Sequence, residues 1–366
     1  MDMPFQLTSW QKKQATLLYY FASLDYLKGL QRRTNDLIAF IDPTLDLAKA
    51  QQRDSFLVDT KWGTRNTSQN WCNNAWPYLA EFQMAVAKEI ANRSSEIYCV
   101  TDVNNCGRGI AEYSMQWTTP AEQKKFDEMF EELSMYAMYI DKTMDKSETA
   151  SRWNDFRLAV VWQEFKDRFP KLPKLTVRPD VVGESHRVPG RTGVYVSQDD
   201  PHGSLQFAWT GGIDGELLEC PTFNEIGLDA LRSVGRRDLW LDRQKMYLFA
   251  TAPKYSELFR EKINWNSVPA PELAPSAVGR AAFTSRPCKW YFVEMIAGEF
   301  EEIADSLTPG VLEKKLRVEG GNPCPEAGYY FTPARQSSRR YFNRDEIMPD
   351  VGGNNWQTIW QWDEQQ

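Results

Sequence analysis

The sequence predicts an α+β protein: an antiparallel helical bundle over residues 1–172, then a mixed domain with a small antiparallel sheet over residues 173–366. Three observations predict it. Apolar residues recur at helical spacing through the first 170 residues. "PKLPKL", residues 170–175, then sets two prolines within four positions, a pattern that stops a helix. Beyond it, short runs of β-branched and aromatic residues alternate with Gly- and Asp-rich turns.

The first helix is expected in "LTSWQKKQATLLYYFASLDYLKGLQRR", where Leu17, Phe21, Leu24 and Leu27 mark one stripe. A second runs through "NDLIAFIDPTLDLAKAQQ", interrupted or kinked near Pro43, which has no N–H to donate. A third follows Trp76-Pro77. The fourth, "TTPAEQKKFDEMFEELSMYAMYIDKTM", has Thr119 as N-cap, Pro120 in the first position and Glu122 closing a capping box. Phe126, Met129, Phe130, Leu133, Tyr136, Ala137, Ile140 and Met144 fall on its apolar face, and Asp127, Glu128, Glu131 and Glu132 on its solvated one. A fifth covers "ETASRWNDFRLAVVWQEFKDRF". In the second half, Gly193–Ser197 and Leu205–Thr210 read as a hairpin around a polar Asp-Asp-Pro-His-Gly turn. "TFNEIGLDALRSVG" reads as a helix with Thr222 as cap and Gly235 at its end. "KMYLFATA" and "KWYFVEMIAG" read as strands, and the charged stretch from Glu299 to Lys315 as a helix.

Net charge is −7. Up to Pro170 the chain carries 20 basic and 23 acidic residues, and after it 23 and 27, so neither half has the basic excess that phosphate binding uses. Direct nucleic-acid binding is not expected, whereas a basic partner would be attracted. No apolar run reaches membrane-spanning length. "MDMPFQLTSWQKKQ" lacks a basic head before an apolar stretch, so a cytoplasmic chain with six free cysteines is expected.

Catalytic motifs are not found. His186 and His202, with Asp199 or Asp200, lack the helical spacing of a zinc site and read as loop residues, so no metal or cofactor is expected. There is no Gly-x-Ser-x-Gly elbow, and "CGRG" at Cys106–Gly109 reads as a polar turn. Cys220 reads as a buried structural thiol. The candidate binding surface is the acidic hairpin region, Asp199, Asp200, Asp214, Glu216 and Glu219, with Trp209 as aromatic anchor. Exposed Trp clusters would also suit a homodimer.

One stretch is more specific. "GGNPCPEAGYYFTPARQSSRRYFNRDEIMPD", residues 320–350, followed by "TIWQWD", resembles the C-terminal region of immunity proteins of bacterial polymorphic-toxin systems, the families numbered 71 and 72, often encoded beside type VI secretion or Rhs effectors. Gly320, Gly321, Pro323, Cys324, Pro325, Gly328, Tyr330, Thr332, Pro333, Arg339, Arg340, Phe342, Met348, Pro349, Trp360 and Trp362 carry the resemblance. "TGVYVSQDDPHGSLQFAWTG" and "TFNEIGLDALRSVGRRDLW" extend it upstream, and the first half shares only its helical character. Tyr330 departs from it, a Trp being expected there. The resemblance implies a cytoplasmic antidote that binds a cognate toxin domain of a secreted effector and is not an enzyme. An enzyme reversing the toxin's modification, or an effector adaptor, are the alternatives. It carries over no catalytic residue. Glycine and proline in the motif fix a compact turn, with Trp360 and Trp362 clamping the C-terminal strand, so the motif reads as structural.

Overall fold

The computed structural model describes residues 5–147, 153–264, 268–302, 317–325, 327–332, 338–351 and 358–362. Its α+β character is as expected. The chain falls into two compact units, Met1–Glu301 and Glu302–Gln366, so the expected boundary at residue 172 lies inside the first. The reason is the first helix, which packs against strands from the other side of that boundary as well as against helices.

Helix α1 (Ser9–Ala22) begins at a capping box in which Thr8 and Gln11 satisfy each other's backbone N–H groups. It ends at Ser23, whose extended backbone turns the chain and whose hydroxyl accepts from Tyr26 N–H to start α2 (Leu24–Ala50). The break therefore falls at Ser23, and α2 runs through Pro43, where an interruption or a kink was expected, without being interrupted. Proline removes only one donor, and buried Leu37, Ile41, Leu45 and Ala48 hold the helix on both sides of it.

A short 3-10 turn, η1 (Arg53–Phe56), leads to α3 (Ser68–Asn74) and α4 (Trp76–Asn92), then η2 (Arg93–Ser95) and α5 (Val103–Ala111). Cys106–Gly109 thus lies in a helix, not a turn, because a side chain at Gly109 would overlap the Tyr78 ring and glycine lets α5 approach α4. Helix α6 (Pro120–Met144) has the expected Thr119–Glu122 capping box and buries Phe126, Leu133, Ala137, Ile140 and Met144. Helix α7 (Asp155–Phe165) is capped by Asn154. The bundle is antiparallel. Along α2, Tyr26, Arg33 and Phe40 meet Tyr136, Glu132 and Lys125 of α6, and Asn35 and Asp42 meet Gln83 and Trp76 of α4.

The chain continues through β1 (Lys171–Glu184), β2 (Gly193–Ser197), β3 (Gln206–Ala208), the 3-10 turn η4 (Ile213–Gly215) and β4 (Cys220–Phe223). Then come α8 (Glu225–Val234), α9 (Arg243–Thr251), α10 (Ser256–Ile263), α11 (Ala270–Ala281), β5 (Phe283–Arg286) and β6 (Lys289–Glu302). The main sheet has the order β1-β6-β2-β3, with β2 and β3 forming the expected antiparallel hairpin, and β4 pairs with β5. Lys171–Leu175 do more than stop a helix: they open β1.

"KMYLFATA" is helical, in α9, because Met246, Phe249 and Ala250 bury one helical face against α11. Helix α8 is capped by Asn224, whose side chain accepts from Gly227 N–H; Thr222 is instead paired with Thr284 in the β4–β5 ladder. Gly235 closes α8 at φ +83°, as read. Strand β6 continues to Glu302, so no helix starts at Glu299; residues 303–315 of that expected helix lie outside the described residues.

In the second unit, β7 (Arg317–Glu319), β8 (Gly328–Phe331), β9 (Arg340–Phe342) and β10 (Ile359–Trp362) form an antiparallel sheet in the order β7-β10-β8-β9. Its core is Val318, Cys324, Tyr330, Phe342, Met348 and Trp360, five of them residues quoted for the resemblance.

Candidate interaction surface

The C-terminal motif is consumed by its own fold. Cys324 is buried; its N–H donates to Glu346 O at 2.8 Å and its carbonyl accepts from Asp345 N–H at 2.7 Å. Gly321, at φ +88°, donates to Met348 O at 2.7 Å, and a side chain at neighbouring Gly320 would press on Asp350. The Trp360 indole donates to Pro349 O at 2.8 Å. Arg340 pairs with Glu346 at 2.7 Å, and the Arg339 guanidinium lies 4.1 Å from the Tyr329 ring centre. Gly328 sits opposite Phe342 and the Trp362 backbone opposite Tyr330, while Pro325 is exposed. Pro333 lies outside the described residues.

The acidic hairpin region is only partly a surface. Trp209 is 1% exposed, packed beside Tyr98 and Phe207 with the Lys146 ammonium 4.7 Å from its ring centre, so it is no outward anchor. Asp200 is also buried. It accepts from His202 N–H at 2.9 Å and from Arg286 Nε at 2.9 Å. Burial pushes its carboxyl up, but bonds from Thr222, His202 and Arg286 outweigh that and hold it below the usual carboxylate range. Asp199, exposed, faces the same guanidinium at 3.5 Å. Glu219 approaches His186 Nε2 at 3.9 Å, and His202 stacks on Phe223, so each histidine is engaged by its own neighbour. Among the described residues no three His, Cys, Asp or Glu side chains could together hold a metal ion.

What projects is Ile213, which composition could not single out. Buried Trp209 donates from its backbone N–H to Gly215 O at 3.0 Å, closing the loop 209–215. A side chain at Gly215 would overlap Trp209 O, and one at Gly211 would overlap Ser95 O and Glu96 O, so the loop lies flat on η2. Gly212 turns the chain at φ +106°. Thr192 donates to the Glu96 carboxylate at 2.7 Å and Thr210 donates to it as well, holding that carboxyl below its ordinary range, Thr210 having the larger effect. On this base Ile213 is 85% exposed, with Asp214 exposed and Glu216 half-buried beside it.

No family model, curated protein or solved structure matches this chain. No helix among the described residues is long and apolar enough to cross a membrane.

A second exposed apolar loop has residues at neither helical nor strand spacing, so periodicity does not reveal it. Phe56, Val58 and Trp62 are 87%, 59% and 54% exposed. Asp59 organises it: its backbone exchanges hydrogen bonds with Gly63 at 3.0 and 2.8 Å, and its carboxylate accepts from Lys61 and Trp62 N–H. Upstream, Arg53 pairs with Glu122 at 2.6 Å and Asp54 accepts from Ser68, fixing the loop's root.

Proposed function

We propose that this chain works by binding, as a cytoplasmic antidote that occludes the toxin domain of a secreted antibacterial effector. The observation that carries the reading is Ile213, a large apolar side chain held out on a loop whose conformation is over-determined and ringed by Asp214 and Glu216. Apolar anchors on pre-ordered backbone bind without a large ordering cost, and the surrounding acids steer and orient a partner with a basic rim. Of the residues named from the sequence, Asp199, Asp214, Glu216 and Glu219 stay in the candidate surface; Ile213 replaces Trp209, and Asp200 leaves it.

The test is co-expression with the toxin domain encoded beside the gene, scoring growth and then co-purification. Rescue with a stoichiometric complex is expected. Ile213→Asp should weaken that complex by about 30-fold or more, the loss of a central anchor. Rescue without a complex would instead favour an enzyme that repairs the toxin's damage, and a complex without rescue an adaptor for secretion.

The Phe56–Trp62 loop favours self-association as a second contact, since a two-fold pair would bury all three apolar residues. Sedimentation of the chain and of Trp62→Asp decides it: a dimer lost in the variant supports it, and a monomer throughout refutes it.

A further inference from the structure

We infer that a cleft formed by the Trp62 loop, α3 and the end of α5 binds a neutral saccharide. The cleft is open and holds about 660 Å³, inside the roughly 300–1,000 Å³ usual for small-molecule sites. Trp62, Thr64, Arg65, Asn70, Glu112 and Tyr113 line it, and Ala111 adds a small apolar patch. Its backbone is tied in place. Thr64 O accepts from the Thr67 N–H at 3.1 Å and from the Thr67 hydroxyl at 2.7 Å, and Thr67 is the cap of α3. Arg65 O accepts from Asn70 Nδ2 at 2.9 Å, and after α5 the Tyr113 N–H donates to Ile110 O at 3.1 Å. The Asp59 carboxylate holds the Trp62 N–H from the other end of the loop.

The side chains on this fixed backbone are unspent. Among the described residues, the Thr64 and Tyr113 hydroxyls, the Arg65 guanidinium and the Glu112 carboxylate make no hydrogen bond or ion pair. Arg65 approaches only the Trp62 ring, 5.8 Å from its centre. Asn70 is half used: Oδ1 accepts from Asn74 and Nδ2 donates to Arg65 O, which leaves one amide hydrogen. Three properties of this lining select the ligand. Arg65 and Glu112 cancel, so the cleft offers no net charge to a phosphate or an ammonium group. Its groups are mostly hydrogen-bonding and open to water, which suits a hydrated ligand and not an apolar one. Trp62, 54% exposed, adds a flat aromatic surface beside them. A pyranose ring matches all three. Its slightly positive C–H face lies on the negative face of the indole. Its hydroxyls both donate, to Glu112, and accept, from Arg65, Thr64, Tyr113 and Asn70. A carboxylate takes two neighbouring hydroxyls at once and a guanidinium donates to two, the paired geometry that adjacent sugar hydroxyls present.

Saturation-transfer NMR on the full chain tests this. The probes are cellotriose, maltotriose and the β-1,4-linked trimer of N-acetylglucosamine, with methyl phosphate and methylammonium as charged comparisons. At least one trisaccharide should receive transfer, strongest at its ring C–H protons, with a dissociation constant of about 1 mM or below. Glu112→Gln keeps the side chain's shape, removes a charged acceptor and should weaken binding about tenfold. Trp62→Ala should weaken it by about as much or more. Both residues are exposed, so both variants should keep the native circular dichroism. Glu112 stands outside the Phe56–Trp62 loop, so a loss in that variant is not a loss of self-association. No transfer to any trisaccharide at about 10 mM overturns the proposal. So does transfer unchanged in both variants, or stronger transfer to methyl phosphate or methylammonium than to the sugars. Toxin rescue is not a readout here, so the result stands whichever way the antidote reading falls.

Discussion

Replacing Asp155 by Asn removes a single charge from the first residue of α7 and keeps the side chain's shape. In the native chain Oδ2 accepts from the Trp10 indole at 2.7 Å and Arg236 Nη1 at 2.9 Å, while Oδ1 accepts from the Trp240 indole at 2.7 Å and Arg236 Nη2 at 2.7 Å. Asn has only one oxygen. Whichever way its amide turns, the NH₂ faces one indole and one guanidinium donor. Two donors lose their acceptor, at about 1–3 kcal/mol for each one left buried. Arg236 is 37% exposed and can recover solvent, so its lost ion pair adds at most about 1 kcal/mol. The expected loss is about 1–4 kcal/mol, or roughly one to three powers of ten in the folded-to-unfolded ratio. Urea unfolding followed by tryptophan fluorescence measures it, with Trp10→Phe, which removes one donor, losing about 1 kcal/mol. A loss below about 1 kcal/mol in Asp155→Asn would refute the reasoning, because it would mean the indoles find other acceptors at little cost.

The remaining predictions use other parts of the molecule. Burial pushes the Asp141 carboxyl from 3.8 up to about 6, against the bond it accepts from Thr101 N–H at 2.6 Å. A raised acid binds its proton in the folded state first, so stability falls as pH rises from about 4 to about 6 and is level above. Asp141→Asn should remove that slope and raise stability near pH 7 by about 1–3 kcal/mol, the full shift discounted for partial exposure. Gly215→Ala should displace the 209–215 loop and weaken toxin binding, while Gly190→Ala, with open space around it, leaves binding unchanged in the same titration. Trp360→Ala removes an aromatic from the core of the second unit, at about 3–5 kcal/mol. Limited proteolysis should then cut residues 317–362 and spare the first unit.

Local signals survived into the structure where chemistry acts within a few residues. The Thr119–Glu122 box, the Gly235 terminus and the β2–β3 hairpin are examples, since a cap or a turn needs no distant partner. The errors lie where packing decides. "KMYLFATA" has the composition of a strand, and only its contact with α11 makes it α9. Trp209, expected as an outward anchor, is buried, and Ile213, for which the sequence suggested no role, projects instead, because the Gly215 contact folds one inward and leaves the other out. The C-terminal motif was legible as structural in so far as Cys324, Tyr330, Phe342, Met348 and Trp360 supply the core of the second unit.

The place of α1 has a consequence for synthesis. Gln14 accepts from Leu205 N–H at 3.1 Å, the Tyr19 hydroxyl donates to Val293 O, and Lys12 pairs with Glu301 at 2.8 Å across a separation of 289 residues. A helix translated among the first elements must therefore wait for some of the last strand of its unit. At about 5–20 residues per second the wait is roughly 15–60 s, long against the microseconds in which the helix itself forms. Throughout that interval Lys12, Gln14 and Tyr19 lack these partners, so α1 completes its contacts only when the last strand of its unit has been made.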